Sequence, residues 1–187
     1  DETFVLCYAG SLGSSTVNAA VLRAVSELID RYPKARFLLS SGTRNYEAAR
    51  AQLEAYGLQS NPRVSLQPYI YNMADQMAAA DVVISRAGAM SLSELSRMGK
   101  ASIIVPSPYV ADNHQLHNAQ AMAEREAAIL VEEKDFDTGA LTQAVEQMIS
   151  QPSRRALLQA NIRSFAPEDA NRLIYDLILQ AVNGKSK

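Results

Sequence analysis

Three stretches hold residue types and spacings that can do chemistry, and each follows a run of apolar, β-favouring residues. The one with most to explain is "SRAGAMSLSEL", residues 85–95. A turn that only redirects the chain needs no arginine, and no carboxylate one helical turn later. Gly88 permits a tight turn, and Ala89, Met90 and Ser91 would present free N–H groups at a helix start. Those donors and the helix dipole favour an anion such as a diphosphate. Arg86 would add positive charge, and Glu94 could accept two hydrogen bonds from a ribose diol. The spacing Ser91-x-x-Glu94 equally fits a capping box, in which Glu94 only completes the helix end.

The second stretch is "AGSLGSS", residues 9–15. Gly10 and Gly13 would let the backbone approach a phosphate, with Ser11 and Ser14 as hydroxyl donors before a helix. The spacing is neither the dinucleotide fingerprint nor a P-loop, since no lysine follows the second glycine. A plain strand-to-helix turn with a serine cap fits equally well. The third is "VPSPYVADNHQLHNA", residues 105–119, a loop stiffened by Pro106 and Pro108. Asp112, His114 and His117 have a spacing that could hold a metal, but no fourth ligand is evident and no metal site is expected. His114, Gln115 and Asn118 suit sugar hydroxyls better, and His117 reads as a solvent-facing helix residue.

Other features read as structural. Tyr69 and Tyr71 could sit near a base but fit packing positions at a strand end. Arg154, Arg155 and Arg163 fit a solvated helix face. Cys7 lies inside a strand and should be buried and inert. The "GKS" at Gly184–Ser186 follows neither a strand nor an upstream glycine, in a tail expected to fray.

The elements that must position these loops alternate strictly. "TFVLCYAG", "ARFLLSSG", "RVSLQPYI", "DVVIS", "KASIIVPSP" and "AAILVEE" read as strands. Between them lie Val17–Tyr32 at helical spacing, closed by Pro33, then "NYEAARAQLEAYG" with Gly57 as its stop. "YNMADQMAAA", "MSLSELSRMG" and "HNAQAMAEREA" follow, and three helical stretches fill Thr138–Val182. Alternation of this kind predicts right-handed crossovers and a doubly wound, Rossmann-like parallel α/β sheet, one domain over residues 1–187. Ligands in such sheets sit beyond the carboxyl ends of the strands, where the three stretches fall.

Composition bounds the partners. With 48% apolar residues in a 187-residue chain, a core can form without disulfides or metal. A net charge of −2 favours no nucleic-acid partner. The single cysteine fits a reducing, cytoplasmic compartment. No apolar run approaches the roughly 20 residues that span a bilayer. The start at Asp1, without an initiator methionine or a signal peptide, fits a piece of a longer protein.

Taken together, "AGSLGSS", "PYIYNMADQMAAADVVISRAGAMSLSEL" and "KASIIVPSPYVADNHQLHNAQAM" resemble the donor-binding half of the MurG family, over essentially the whole chain. Members of that family are UDP-N-acetylglucosamine transferases that make the lipid-linked peptidoglycan precursor. The first motif departs from the family, which usually has two glycines where Ala9-Gly10 stand and alanine where Ser14 stands. The resemblance implies the C-terminal half of a GT-B fold, with Ser11 at the diphosphate and the Ile70 backbone at the uracil. It places Ala89, Met90 and Ser91 at the phosphates and sugar, Glu94 at the ribose, and Gln115, beside His114, at the N-acetylglucosamine hydroxyls. It implies no cofactor and no catalytic residue in this chain. The acceptor site, the catalytic base and the membrane-docking patch belong to an N-terminal domain, at the cytoplasmic face of the membrane. The last helix, "EDANRLIYDLILQAV", resembles the segment that packs back towards that domain. Three alternatives stay open: the donor half of a glycolipid synthase acting on diacylglycerol, a non-hydrolysing UDP-sugar epimerase, and a non-catalytic nucleotide-sugar-binding subunit.

Overall fold

Strands that are apolar on both faces need cover on both sides, and the helices between them supply it. The computed structural model describes residues 2–10, 12–166 and 170–183. Ser11 and the tail from Gly184 onward, both singled out above, lie outside the described residues. Six parallel strands form one sheet in the order β3-β2-β1-β4-β5-β6. They are β1 (Thr3–Tyr8), β2 (Ala35–Ser40), β3 (Val64–Gln67), β4 (Val82–Ser85), β5 (Ala101–Ile104) and β6 (Ile129–Leu130). The helices are α1 (Ser15–Leu28), α2 (Tyr46–Ala55), α3 (Met73–Ala79), α4 (Ala89–Met98), α5 (His114–Glu124), α6 (Ala140–Ser150), α7 (Pro152–Ile162) and α8 (Ala170–Asn183).

The pleat sorts each strand into two cores. Val5 and Cys7 of β1 join Val82 and Ile84 of β4 against α1, α2 and α6. Leu6 and Tyr8 join Val83 and Ile104 against α3, α4 and α5. Full burial of such a side chain stabilises by about 1.5–3 kcal/mol. Burial pushes the Cys7 thiol up to about 12, so it stays protonated and unreactive.

Two boundaries and one surface assignment differ from the sequence reading. β6 has only two paired residues, because Pro106 lacks the N–H that would extend the ladder beyond Ile104 and Val105. Helix α5 begins three residues earlier than "HNA", after two left-handed residues, Asp112 (φ 52°) and Asn113 (φ 49°). Its start carries Gln115 in the first turn. Of the three arginines read as a solvated face, Arg163 is exposed and Arg154 and Arg155 are half-buried, but all three have protein contacts. Arg154 pairs with Glu126 at 2.6 Å, and Arg155 donates to the Met148 carbonyl closing α6. The Arg163 guanidinium packs over Gly99, the left-handed stop of α4.

The sheet order places the reversal of winding between β1 and β4, and the loops after these strands flank a crevice there. Gly13 fixes the first loop. It has φ +68°, and a Cβ there would lie 1.9 Å from the Ser41 carbonyl oxygen. Gly42 answers from the other side, where a Cβ would lie 2.2 Å from the Leu12 carbonyl oxygen. Asn45 and Asn18 close the contact by donating to the carbonyls of Leu12 and Ser41. Gly13 therefore serves the approach of one loop to another, which corrects its assignment to phosphate approach. Gly10, at φ +76°, has no atom within 4 Å of a built Cβ.

Gly13→Ala combines backbone strain with a main-chain clash and should destabilise by about 3 kcal/mol or more, whereas Gly10→Ala should lose only the left-handed penalty of about 1–2 kcal/mol. Urea denaturation of both variants checks this. Equal losses would contradict the interlocked-loop geometry.

Candidate functional site

The crevice is built from the starts of α1 and α4. At α1, Ser14 is the N-cap, its Oγ accepting from Val17 N at 3.4 Å. The serine-cap reading of this loop is therefore correct for Ser14. At α4 the N-cap is Gly88, with φ −71°, so glycine is not needed there for its backbone angles. Nothing lies within 4 Å of a Cβ built on Gly88, which leaves open space at the helix start. Ala89, Met90 and Ser91 are the first three helical residues, the positions whose N–H groups have no intrahelical acceptor.

This register overturns the capping box. A box needs Ser91 before the helix and Glu94 at its third residue, but Ser91 is itself the third residue and makes no cap bond. Glu94 lies further along, exposed, with no hydrogen bond or ion pair among the described residues. The reading of Gly88 as a turn-permitting glycine and of the serines as caps is corrected with it.

Arg86 is the second correction. Its guanidinium does not stand free beside an anion site. One nitrogen donates to Ser14 Oγ at 2.8 Å and lies 2.5 Å from Glu133 Oε1. The other donates to the carbonyls of Pro106 at 3.2 Å and Val105 at 3.4 Å. The Arg86 and Glu133 side chains are only 13% and 10% exposed. Arg86 thus ties together the loops after β1, β4, β5 and β6. Sequence reasoning missed Glu133. The only signal was an acidic run, "EEKDFD", after the last strand.

The third loop is anchored by its own polar groups. Gln115 Oε1 accepts from Ser107 N at 3.0 Å, which leaves the side-chain NH2 as its free donor. His114 Nδ1 lies 2.9 Å from the Ala111 carbonyl, and the ring is exposed. Asn118 donates to Ala87 O at 3.3 Å, so it braces α5 against the β4–α4 turn instead of standing free for a sugar. His117 is exposed on α5. Among the described residues no group of three or more His, Cys, Asp or Glu side chains is placed to hold a metal, and Asp112, His114 and His117 form no such set.

These loops enclose a cleft of about 400 Å³ lined by Thr16, Pro106, Ser107, Tyr109, Asn113 and Glu133. It runs from the start of α1 to the start of α5. None of the described residues predicted for the site lines it, Ser14, Arg86, Ala89, Glu94 and Gln115 included. Ile70 buries its side chain in the second core with Met77 and Leu92, on the β3–α3 connection. Tyr69 and Tyr71 on either side are not packing residues. Tyr71 is 93% exposed, and the two rings meet edge to face with centroids 5.0 Å apart.

Winding and crevice together define a class: a doubly wound, Rossmann-like α/β domain with its ligand crevice at the switch point between β1 and β4. Residues 4–173 match the glycosyltransferase family 28 C-terminal domain, and the chain belongs to that family. It is 42% identical over 149 residues to the UDP-N-acetylglucosamine--N-acetylmuramyl-(pentapeptide) pyrophosphoryl-undecaprenol N-acetylglucosamine transferase of Caldicellulosiruptor saccharolyticus, covering 80% of this chain and 40% of that protein. It is 31% identical to the protein of the same name from Acetivibrio thermocellus, covering all of this chain and 49% of that one. The crystal structure of Acinetobacter baumannii MurG superposes with a TM-score of 0.80 at 25% identity, covering 96% of this chain and 52% of that one. The chain spans about half the length of these relatives.

One group under α4 is unsatisfied. The Tyr8 hydroxyl is buried and makes no well-aligned hydrogen bond among the described residues, although the Ser91 and Ser85 hydroxyls lie close enough to pair with it and Glu94 is nearby. Burial pushes its phenol up to about 12, so it keeps its proton at neutral pH. Removing an unmade buried hydrogen bond should help the unliganded fold. Tyr8→Phe is expected to raise its stability by about 1 kcal/mol, read as a higher Tm. A fall in Tm would mean that the hydroxyl has a partner in solution.

Proposed function

We propose that this chain is the UDP-N-acetylglucosamine-binding half of an inverting GT-B glycosyltransferase. The whole enzyme transfers N-acetylglucosamine to lipid-linked muramoyl pentapeptide during peptidoglycan precursor synthesis. The observation that carries this reading is the start of α4 at the switch point: three leading N–H groups, open space at Gly88, and Glu94 one turn on with no structural duty. The activity named for the relatives above supports this choice of sugar and acceptor.

In this reading the diphosphate lies across the starts of α1 and α4, at Gly10, Ser11 and Ala89 to Ser91. The peptide of Ile70 reads the uracil, Glu94 takes the ribose diol, and the free amide of Gln115, with His114, reads the sugar hydroxyls. Departure of UDP is favoured by fixed N–H dipoles already aimed at the growing negative charge, with no metal required. The acceptor site and the base that deprotonates the acceptor hydroxyl belong to a partner domain, which docks the enzyme at the cytoplasmic face of the membrane. The exposed apolar residues of α8, among them Ile174, Leu177 and Ile178, suit packing against that domain. Among the described residues no helix is long and apolar enough to cross a membrane.

Calorimetry of UDP binding with and without EDTA tests the metal-free cradle, and equal affinity is expected. Abolition of binding by the chelator would return attention to Asp112, His114 and His117.

Glu94 provides the sharper test. Loss of a charged hydrogen bond amounts to about 1.5–3 kcal/mol, so Glu94→Gln should weaken UDP binding roughly 10- to 150-fold. Its Tm should not move, because Glu94 makes no cap bond. The unaltered chain should prefer UDP strongly over 2′,3′-dideoxy-UDP, and Glu94→Gln should not. Equal preference in both proteins would remove Glu94 from the ribose site.

A further inference from the structure

Among the described ion pairs, only Arg86–Glu133 has both side chains largely buried. It stands at the wall of the crevice, where Arg86 also donates to the Ser14 cap of α1. A guanidinium in that place would ordinarily be read as an anion ligand. Its contacts argue otherwise, because its terminal nitrogens point at protein acceptors in the loops after β1, β5 and β6. Glu133 Oε1 sits 2.5 Å from Nη2 yet accepts no well-aligned hydrogen bond, so the contact is mainly one of charge. With so little solvent around the pair, that attraction is weakly screened.

We infer that Glu133 is a positioning residue of the crevice. Its carboxylate cancels the charge of Arg86 and holds the guanidinium as a strut between four loops. A bound diphosphate then meets helix N–H groups and not a free cation. The inference rests on the nucleotide-sugar reading above and extends it to a residue outside the three strand-end motifs. It also has an electrostatic consequence. Without the carboxylate, an uncompensated positive charge stands beside the start of α1, and a phosphate-bearing ligand gains attraction that a bare nucleoside does not.

The test compares UDP with uridine by calorimetry on the 187-residue chain, at low salt and at about 0.5 M salt. Glu133→Gln should bind UDP about tenfold more tightly than the unaltered chain at low salt, with the gain fading at high salt and uridine affinity unchanged. A purely structural role predicts parallel weakening of both ligands, and that result, or an unchanged UDP affinity, overturns the inference. Where Glu133→Gln does not fold, the double substitution Arg86→Gln with Glu133→Gln decides. Both charges are then gone, and the ratio of UDP to uridine affinity should match the unaltered chain. A fall in that ratio of about tenfold or more would mean that the guanidinium itself holds the phosphates. Failure of the unaltered chain to bind UDP would overturn the nucleotide reading itself, whereas normal binding with the wrong response at Glu133 overturns only the inference.

Discussion

The carboxyl end of the sheet depends on one buried guanidinium. Parallel strands deliver their loops to the same edge but do not fix those loops relative to one another. Arg86 does so, because a planar fork can reach Ser14, Val105, Pro106 and Glu133 at once. A lysine offers no such geometry. Burying the cation is unfavourable unless a counter-charge and acceptors meet it, and Glu133 with three oxygen acceptors provides them. Truncating one partner would leave the other as a buried, unpaired charge, so the loops after β1, β4, β5 and β6 hold their places together.

A second constraint acts on the other side of β1. The loops after β1 and β2 approach so closely that neither Gly13 nor Gly42 has room for a Cβ. This lock needs no charge: two backbones at positive φ meet, and the Asn45 and Asn18 side chains close the contact. Between strut and lock, the first turn of α1 is held from two directions while Gly10 remains open to space. A helix start held so firmly presents its N–H groups in a fixed array, which is the condition for electrostatic complementarity without reorganisation.

Local patterns in the sequence were enough for the fold. β1 and β4 alternate side chains into two cores, and glycines or prolines close the segments, so a doubly wound parallel sheet followed from short-range rules, while its strand order is seen only in the structure. At the crevice the helix start was legible, since Ala89, Met90 and Ser91 are the first three residues of α4. Three readings failed for reasons of register or distance. Ser91-x-x-Glu94 has the spacing of a capping box, but α4 starts earlier, at Ala89 with Gly88 as its N-cap, so the motif sits inside the helix. Arg86 looked like a free cation because its counter-charge comes from the loop after β6, which no local pattern links to it. Tyr69 and Tyr71 looked like packing residues because strand-end tyrosines usually pack, but only Ile70 between them turns inward.

The same contrast separates what holds the crevice together from what is left over to act. Ser14, Arg86, Asn118 and the Gln115 carbonyl end are consumed by contacts within the protein. Glu94, the Gln115 amide nitrogen, the Gly88 turn and the exposed tyrosines are not. A buried polar group without a partner is unfavourable, and an exposed one is paired by water, so the residues still free to exchange water for a ligand lie along this rim. Taken one by one, they are a carboxylate, a neutral donor and aromatic faces, with no unpaired cation among those named. Such a rim suits a diol, hydroxyls and a base, with phosphate charge left to the helix starts. That division of labour fits the nucleotide-sugar reading proposed above, in which the phosphates need no free arginine.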